Sequence, residues 1–152
     1  MCNKGEIAKE LFEKGYNCCQ AVLLAYCKEL GIDEETAAKL SSSFGGGMGG
    51  MGETCGAVTG MFMVAGVLYG YDDPKDYDKK TEHYARIQLL AKEFEALNGS
   101  IVCRDLLGLG TKKEGPAPDK RTDEYYKKRP CAELVGMAAA IMEQYILKNP
   151  TN

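Results

Sequence analysis

The chain has 152 residues, a formal net charge of −3 and a pI near 5.3. That length fits one domain able to bury roughly 70% of its unfolded surface. The acidic balance excludes a nucleic-acid binder, which needs a basic footprint.

Hydrophobic periodicity is helical almost throughout, and no alternating strand stands out. Glu6 to Lys14 places Ile7, Leu11 and Phe12 on one face, and Gly15 follows as a C′ glycine. A second helix runs from Cys18 to Leu30 and stops at Gly31. Asp33 caps a third, with Ala37, Ala38 and Leu40 inward. Residues 45–52 then hold six glycines in eight positions. Cys55 to Gly70 reads as a core helix, apolar nearly all round. Asp73-Pro74 opens a long amphipathic helix whose inner stripe is Tyr77, Tyr84, Ile87, Ala91 and Phe94, closed by Asn98-Gly99. A short helix around Cys103 ends at Leu107-Gly108. Residues 110–119 have surface-loop chemistry, with Lys112, Lys113, Gly115, Pro116 and Pro118. A final helix from Pro130 to Leu147 turns Leu134, Val135, Ala138, Ile141, Met142 and Tyr145 to the core. The fold expected is all-α: one single-domain bundle, residues 1–152, of about five to six helices with a glycine-rich loop before the central one.

Four of the seven cysteines fall where helices begin. Asn17 and Gln20 bracket Cys18 in a capping-box pattern. Thr54 precedes Cys55, Ser100 can cap the helix holding Cys103, and Pro130 fits the first helical position before Cys131. Unpaired N–H groups and the positive end of the helix dipole favour thiolate there. Cys55, followed by an uninterrupted helix, is expected to be the most acidic thiol. Cys2, Cys19 and Cys27 are read as packing or terminal residues.

The loop matches G-x-G-x-x-G at Gly45, Gly47 and Gly50, but that fingerprint needs a preceding strand and a parallel sheet, and neither is expected. Its glycines instead suit close backbone approach, and N–H groups around Gly50, Gly52 and Gly56 are expected to cradle a sulfur site, with a plain flexible elbow as the equal alternative. Gly56, Gly60, Gly66 and Gly70 should let the central helix pack closely. His83 and the charged stretch from Lys112 to Arg129 read as solvated surface. The chain contains neither C-x-x-C nor C-x-x-C-H, so a c-type haem attachment is excluded. The N-terminal residues lack a basic segment followed by an apolar one. The longest apolar run, 57–69, is too short and glycine-interrupted to span a bilayer. A cytoplasmic protein without direct membrane insertion is expected, and in a reducing compartment its cysteines point to metal or redox chemistry.

Cys18 within Gly15-Tyr16-Asn17-Cys18, the box Cys55-Gly56-Ala57-Val58-Thr59-Gly60, Cys103 and Cys131 together resemble the C_GCAxxG_C_C family of small proteins labelled redox-active. Cys19 stands where relatives are expected to carry a small residue. The resemblance implies redox activity, gene neighbourhoods with transporters, hence a redox partner associated with one, and no settled substrate. Split-Soret-type cytochromes share a similar cysteine pattern alongside haem segments that this chain lacks. Two chemistries stay open. In one, Cys18, Cys55, Cys103 and Cys131 cycle between dithiol and disulfide. In the other they ligate an iron–sulfur cluster or another metal, which would neutralise four adjacent thiolates. A third reading is a non-catalytic interaction module whose cysteines merely pack.

Overall fold

Helix boundaries follow caps written in the sequence. Asn17 accepts from the N–H of Gln20, and the Gln20 side chain accepts from the N–H of Asn17, so α2 (Cys18–Leu30) opens with a complete capping box. Asn3 and Asp33 cap α1 (Lys4–Glu13) and α3 (Glu34–Ser41) by the single bond, accepting from the N–H groups of Glu6 and Thr36. Gly31 and Gly99, both left-handed, end α2 and α5 (Tyr77–Asn98). The computed structural model describes residues 3–108 and 115–151. Cys2, Lys112 and Lys113 lie outside the described residues.

Over those residues the chain is a single all-α domain without strands. Its other helices are α4 (Gly56–Tyr69), α6 (Cys103–Leu106), α7 (Asp123–Lys128) and α8 (Cys131–Lys148). With the short α6 and α7 the described residues hold eight helices, against the five to six expected. None is long and apolar enough to cross a membrane.

The central layer is α2, which buries Cys19, Ala21, Val22, Leu23, Tyr26 and Cys27 between α4, α1 and α8. Gly60 explains how closely α4 approaches: a Cβ there would stand 2.9 Å from Val22 Cβ and 3.0 Å from the Cys19 carbonyl oxygen. Gly66, by contrast, has nothing within 4 Å, so close packing accounts for only part of the glycine pattern. The Tyr26 hydroxyl donates to the Ala139 carbonyl at 2.6 Å and ties α2 to α8.

Two stretches depart from expectation. In α5 the buried stripe is His83, Leu90 and Phe94, while Tyr77 and Tyr84 lie outside, 76% and 52% exposed. His83 is therefore buried, with Nδ1 2.9 Å from Arg86 Nη1 and its ring edge-on to Tyr71. Tyrosines keep a wet hydroxyl and so mark a helix flank as readily as its inner face. The second departure is residues 123–128, read as solvated surface but helical. Thr122 accepts from the N–H of Tyr125, and Asp123 and Glu124 occupy the favourable first turn.

Candidate functional site

All four cysteines stand at helix starts. Cys18, Cys103 and Cys131 are the first residues of α2, α6 and α8, and Cys55 is the N-cap of α4. Two of these starts are tied through main chain. The Cys55 N–H donates to the Ile101 carbonyl at 2.7 Å and the Cys103 N–H to the Glu53 carbonyl at 2.6 Å, flanking an antiparallel bridge between Thr54 and Val102. Ser100 works there differently from a helix cap: its hydroxyl accepts from the N–H of Val102 and donates to Asp105.

The four cysteines line one pocket of about 540 Å³. Cys19 and Cys27 stay apart in the core, Cys19 with its sulfur 3.8 Å from Met63 Sδ. One helix position separates Cys18 from Cys19, about 100° of rotation, which suffices to send one sulfur to the pocket and the other inward.

The glycine loop closes the pocket from the side. Gly46, Gly47, Met48, Gly49 and Gly50 have φ between +57° and +79°, a left-handed turn that L residues rarely sustain. The turn lays backbone against the site. A Cβ on Gly47 would stand 2.6 Å from Cys103 Cβ, and one on Gly56 3.1 Å from Cys18 Cβ and 2.8 Å from the Phe44 carbonyl oxygen. The N–H groups of Gly50 and Gly52 go elsewhere than expected: they donate to the carbonyls of Gly45 and Gly46. Gly50 has nothing within 4 Å of where a Cβ would lie. A turn this tight satisfies those donors internally, so Gly47 and Gly56 make the close approaches.

Acidity is distributed differently from the expectation that Cys55 leads. Burial pushes the Cys55 thiol up to about 11, although the N–H groups of Ala57 and Val58 pull the other way. Cys103 and Cys19 rise to about 12, chiefly through burial. Cys131 alone among them is lowered, to about 7. The Cys18 thiol hydrogen-bonds to its sulfur, and the Arg129 charge, the Tyr125 hydroxyl and the Arg121 charge add to that. Cys18 correspondingly holds its proton, its pKa raised well above 9.0. The two sulfurs are coupled, and a proton held on Cys18 favours thiolate at Cys131.

Tyr125 and Arg129, together with Arg104 and Arg121, line the pocket and escaped the sequence reading. Two guanidinium groups stand against the Tyr125 ring, Arg121 at 5.2 Å and Arg129 at 5.0 Å from its centre. The available signal was the Thr122-Asp123-Glu124 helix start, which places Tyr125 at a fixed helical position. Tyr125→Phe removes one donor to the Cys131 sulfur and keeps the ring. The alkylation midpoint of Cys131 should then rise by about one pH unit, the scale of one charge-assisted hydrogen bond in a partly solvated site. A pH-resolved alkylation series checks this.

The order and spacing of these four cysteines around one pocket match a known pattern. The chain belongs to the C_GCAxxG_C_C family. The family, described as "Putative redox-active protein (C_GCAxxG_C_C)", matches residues 16–145. A protein of Archaeoglobus fulgidus bearing the name "Uncharacterized protein" is 28% identical over 139 residues, covering 87% of this chain and 85% of that one. No solved structure matches the chain. Within the family signature the glycine of the Cys-Gly-Ala box has a physical reason here, since any side chain at Gly56 would meet both Phe44 and Cys18.

Proposed function

We propose that this C_GCAxxG_C_C protein is a dithiol–disulfide redox protein whose working pair is Cys131 and Cys18. What supports the reading is that Cys18 and Cys131 open α2 and α8 on one pocket, which Arg121, Tyr125 and Arg129 also line, a setting that favours thiolate at Cys131. Thiolate is the attacking species in disulfide exchange, and a second thiol beside it resolves the mixed disulfide. Cys55 and Cys103, whose main chains are tied by the Thr54–Val102 bridge, form a second pair that accepts the oxidising equivalents. Gly47 and Gly56 let the loop and α4 seat against Cys103 and Cys18.

The other chemistry is an iron–sulfur or other metal site on the same four sulfurs, favoured by their shared pocket. Among the described residues no three His, Cys, Asp or Glu side chains are grouped to hold a metal ion. A redox partner associated with a transporter is consistent with either chemistry.

Oxygen-free purification, iron and zinc analysis and thiol counting before and after diamide separate the two. The dithiol reading expects colourless protein that loses two thiols from Cys18 and Cys131 first. Stoichiometric iron with visible absorption would overturn it.

A further inference from the structure

The wall of the pocket carries charge in an uneven way. Arg104 pairs with Glu53 at 3.4 Å, and Arg129 pairs with Asp119. Arg121 is held by neutral groups instead: Nη1 donates to the Phe12 carbonyl at 3.0 Å and the Tyr126 hydroxyl at 3.4 Å, and Nη2 to the Tyr16 carbonyl at 2.9 Å. Its guanidinium lies over the Phe12 ring at 4.0 Å. Carbonyls and a ring face orient a guanidinium without cancelling its charge. Among the described residues no carboxylate pairs with Arg121, so a pocket occupant meets an oriented cation whose charge is shared only with the Cys131 sulfur it helps to ionise.

Access sets the size of that occupant. Cys131 and Cys55 are 7% and 4% exposed, so a sulfur carried on a folded surface does not reach them. A reacting group enters through the pocket, whose volume of about 540 Å³ falls in the range of small-molecule sites.

We infer that the pocket takes a low-molecular-weight disulfide bearing carboxylate groups, with Arg121 receiving a carboxylate while the disulfide lies over Cys131. This rests on the dithiol reading and adds the substrate class. The Cys131 thiolate attacks one sulfur of the substrate, a protein–substrate S–S bond forms, and the substrate S–S bond breaks with release of one thiolate. That thiolate takes the proton given up by Cys18. The Cys18 sulfur then attacks Cys131, forming the Cys18–Cys131 disulfide and releasing the second substrate thiolate, which is protonated from solvent. Two protein thiols are oxidised and one substrate disulfide is reduced to two thiols. A dithiol reductant returns the protein to its starting state.

Single-turnover oxidation of the fully reduced chain tests this, with glutathione disulfide as the acidic probe and bis(2-hydroxyethyl) disulfide as the neutral one. Formation of the Cys18–Cys131 bond is read by acid quenching and peptide mapping. Comparing the two probes cancels any general effect of Arg121 on Cys131. Arg121→Gln should lower the acidic-to-neutral rate ratio about tenfold, the scale of one guanidinium–carboxylate contact, and Arg121→Lys should recover part of it. In the unaltered chain the ratio should also fall as salt rises from about 0.05 M to about 1 M, a readout that survives even if the glutamine variant fails to fold. A ratio that neither the folded variants nor salt moves would overturn the substrate class and leave Arg121 as a pin for α1. Oxidation of Cys18 and Cys131 by neither probe would overturn the dithiol reading itself.

Discussion

Cys131→Ser should remove the fastest alkylating thiol of the reduced protein at pH 7. Cys131 is lowered to about 7 by the Cys18 thiol, Arg129, Tyr125 and Arg121, so about half of it is thiolate at that pH. Cys55, Cys103 and Cys19, pushed up to about 11 or 12, are almost wholly protonated there. Low-pKa thiolates are intrinsically weaker nucleophiles, which narrows the advantage, but across about four to five pH units it still leaves Cys131 on the order of a hundredfold faster than those three. The direction with pH is fixed by the sign of the shift: lowering pH from 8 to 6 protonates Cys131 and suppresses the fast phase. In the serine variant the midpoint near 7 should be lost, and the residual alkylation should keep climbing with pH as the other thiols ionise. Cys18→Ser should keep a reactive Cys131 but move its midpoint upward, because the strongest stabilising partner is gone. Stopped-flow alkylation over pH, with peptide mapping of the labelled site, reads both variants.

Gly47→Ala should be the most damaging single change in the glycine loop. A Cβ there would meet Cys103 Cβ at 2.6 Å, the Glu53 nitrogen at 2.7 Å and the Gly52 carbonyl carbon at 2.8 Å, and two of these three neighbours are main chain. Left-handed strain adds at φ +71°. Overpacking and strain together should cost roughly 2–4 kcal/mol. Gly50→Ala shares the left-handed conformation at φ +79° but meets nothing within 4 Å, so strain alone, about 1 kcal/mol, should remain. Urea melts of the two variants measure the difference. Equal losses would mean that the loop's approach to Cys103 carries no stability of its own.

Local features of this site were legible in the sequence, and tertiary ones were not. The capping box around Asn17 and Gln20, the helix start at Cys18 and the stops at Gly31 and Gly99 are decided within a few residues, while the starts at Cys103 and Cys131 fall one or two positions from where Ser100 and Pro130 put them. That four such starts gather around one pocket depends on how α2, α4 and α8 pack and on the bridge between Thr54 and Val102, which no spacing reveals. The acidity order failed for the same reason. A helix N-terminus was visible at Cys55, but its burial was not. The groups that lower Cys131 include Arg121 and Tyr125, which belong to α7 and the segment before it. That stretch was dominated by its charges, seven basic and four acidic between Lys112 and Arg129, and the charge count hid a capped helix. His83 shows the converse error: charged neighbours suggested a solvated flank, while the phase of Leu90 and Phe94 brings it inside.

The most direct test of the central claim is an equilibrium redox titration of protein purified without oxygen, in thiol–disulfide buffers of stepped potential, with every cysteine mapped by mass spectrometry. A two-electron transition is expected in which Cys18 and Cys131 become linked to each other before Cys55 or Cys103 changes. A titration in which Cys18 and Cys131 stay reduced, or join other partners first, would contradict it.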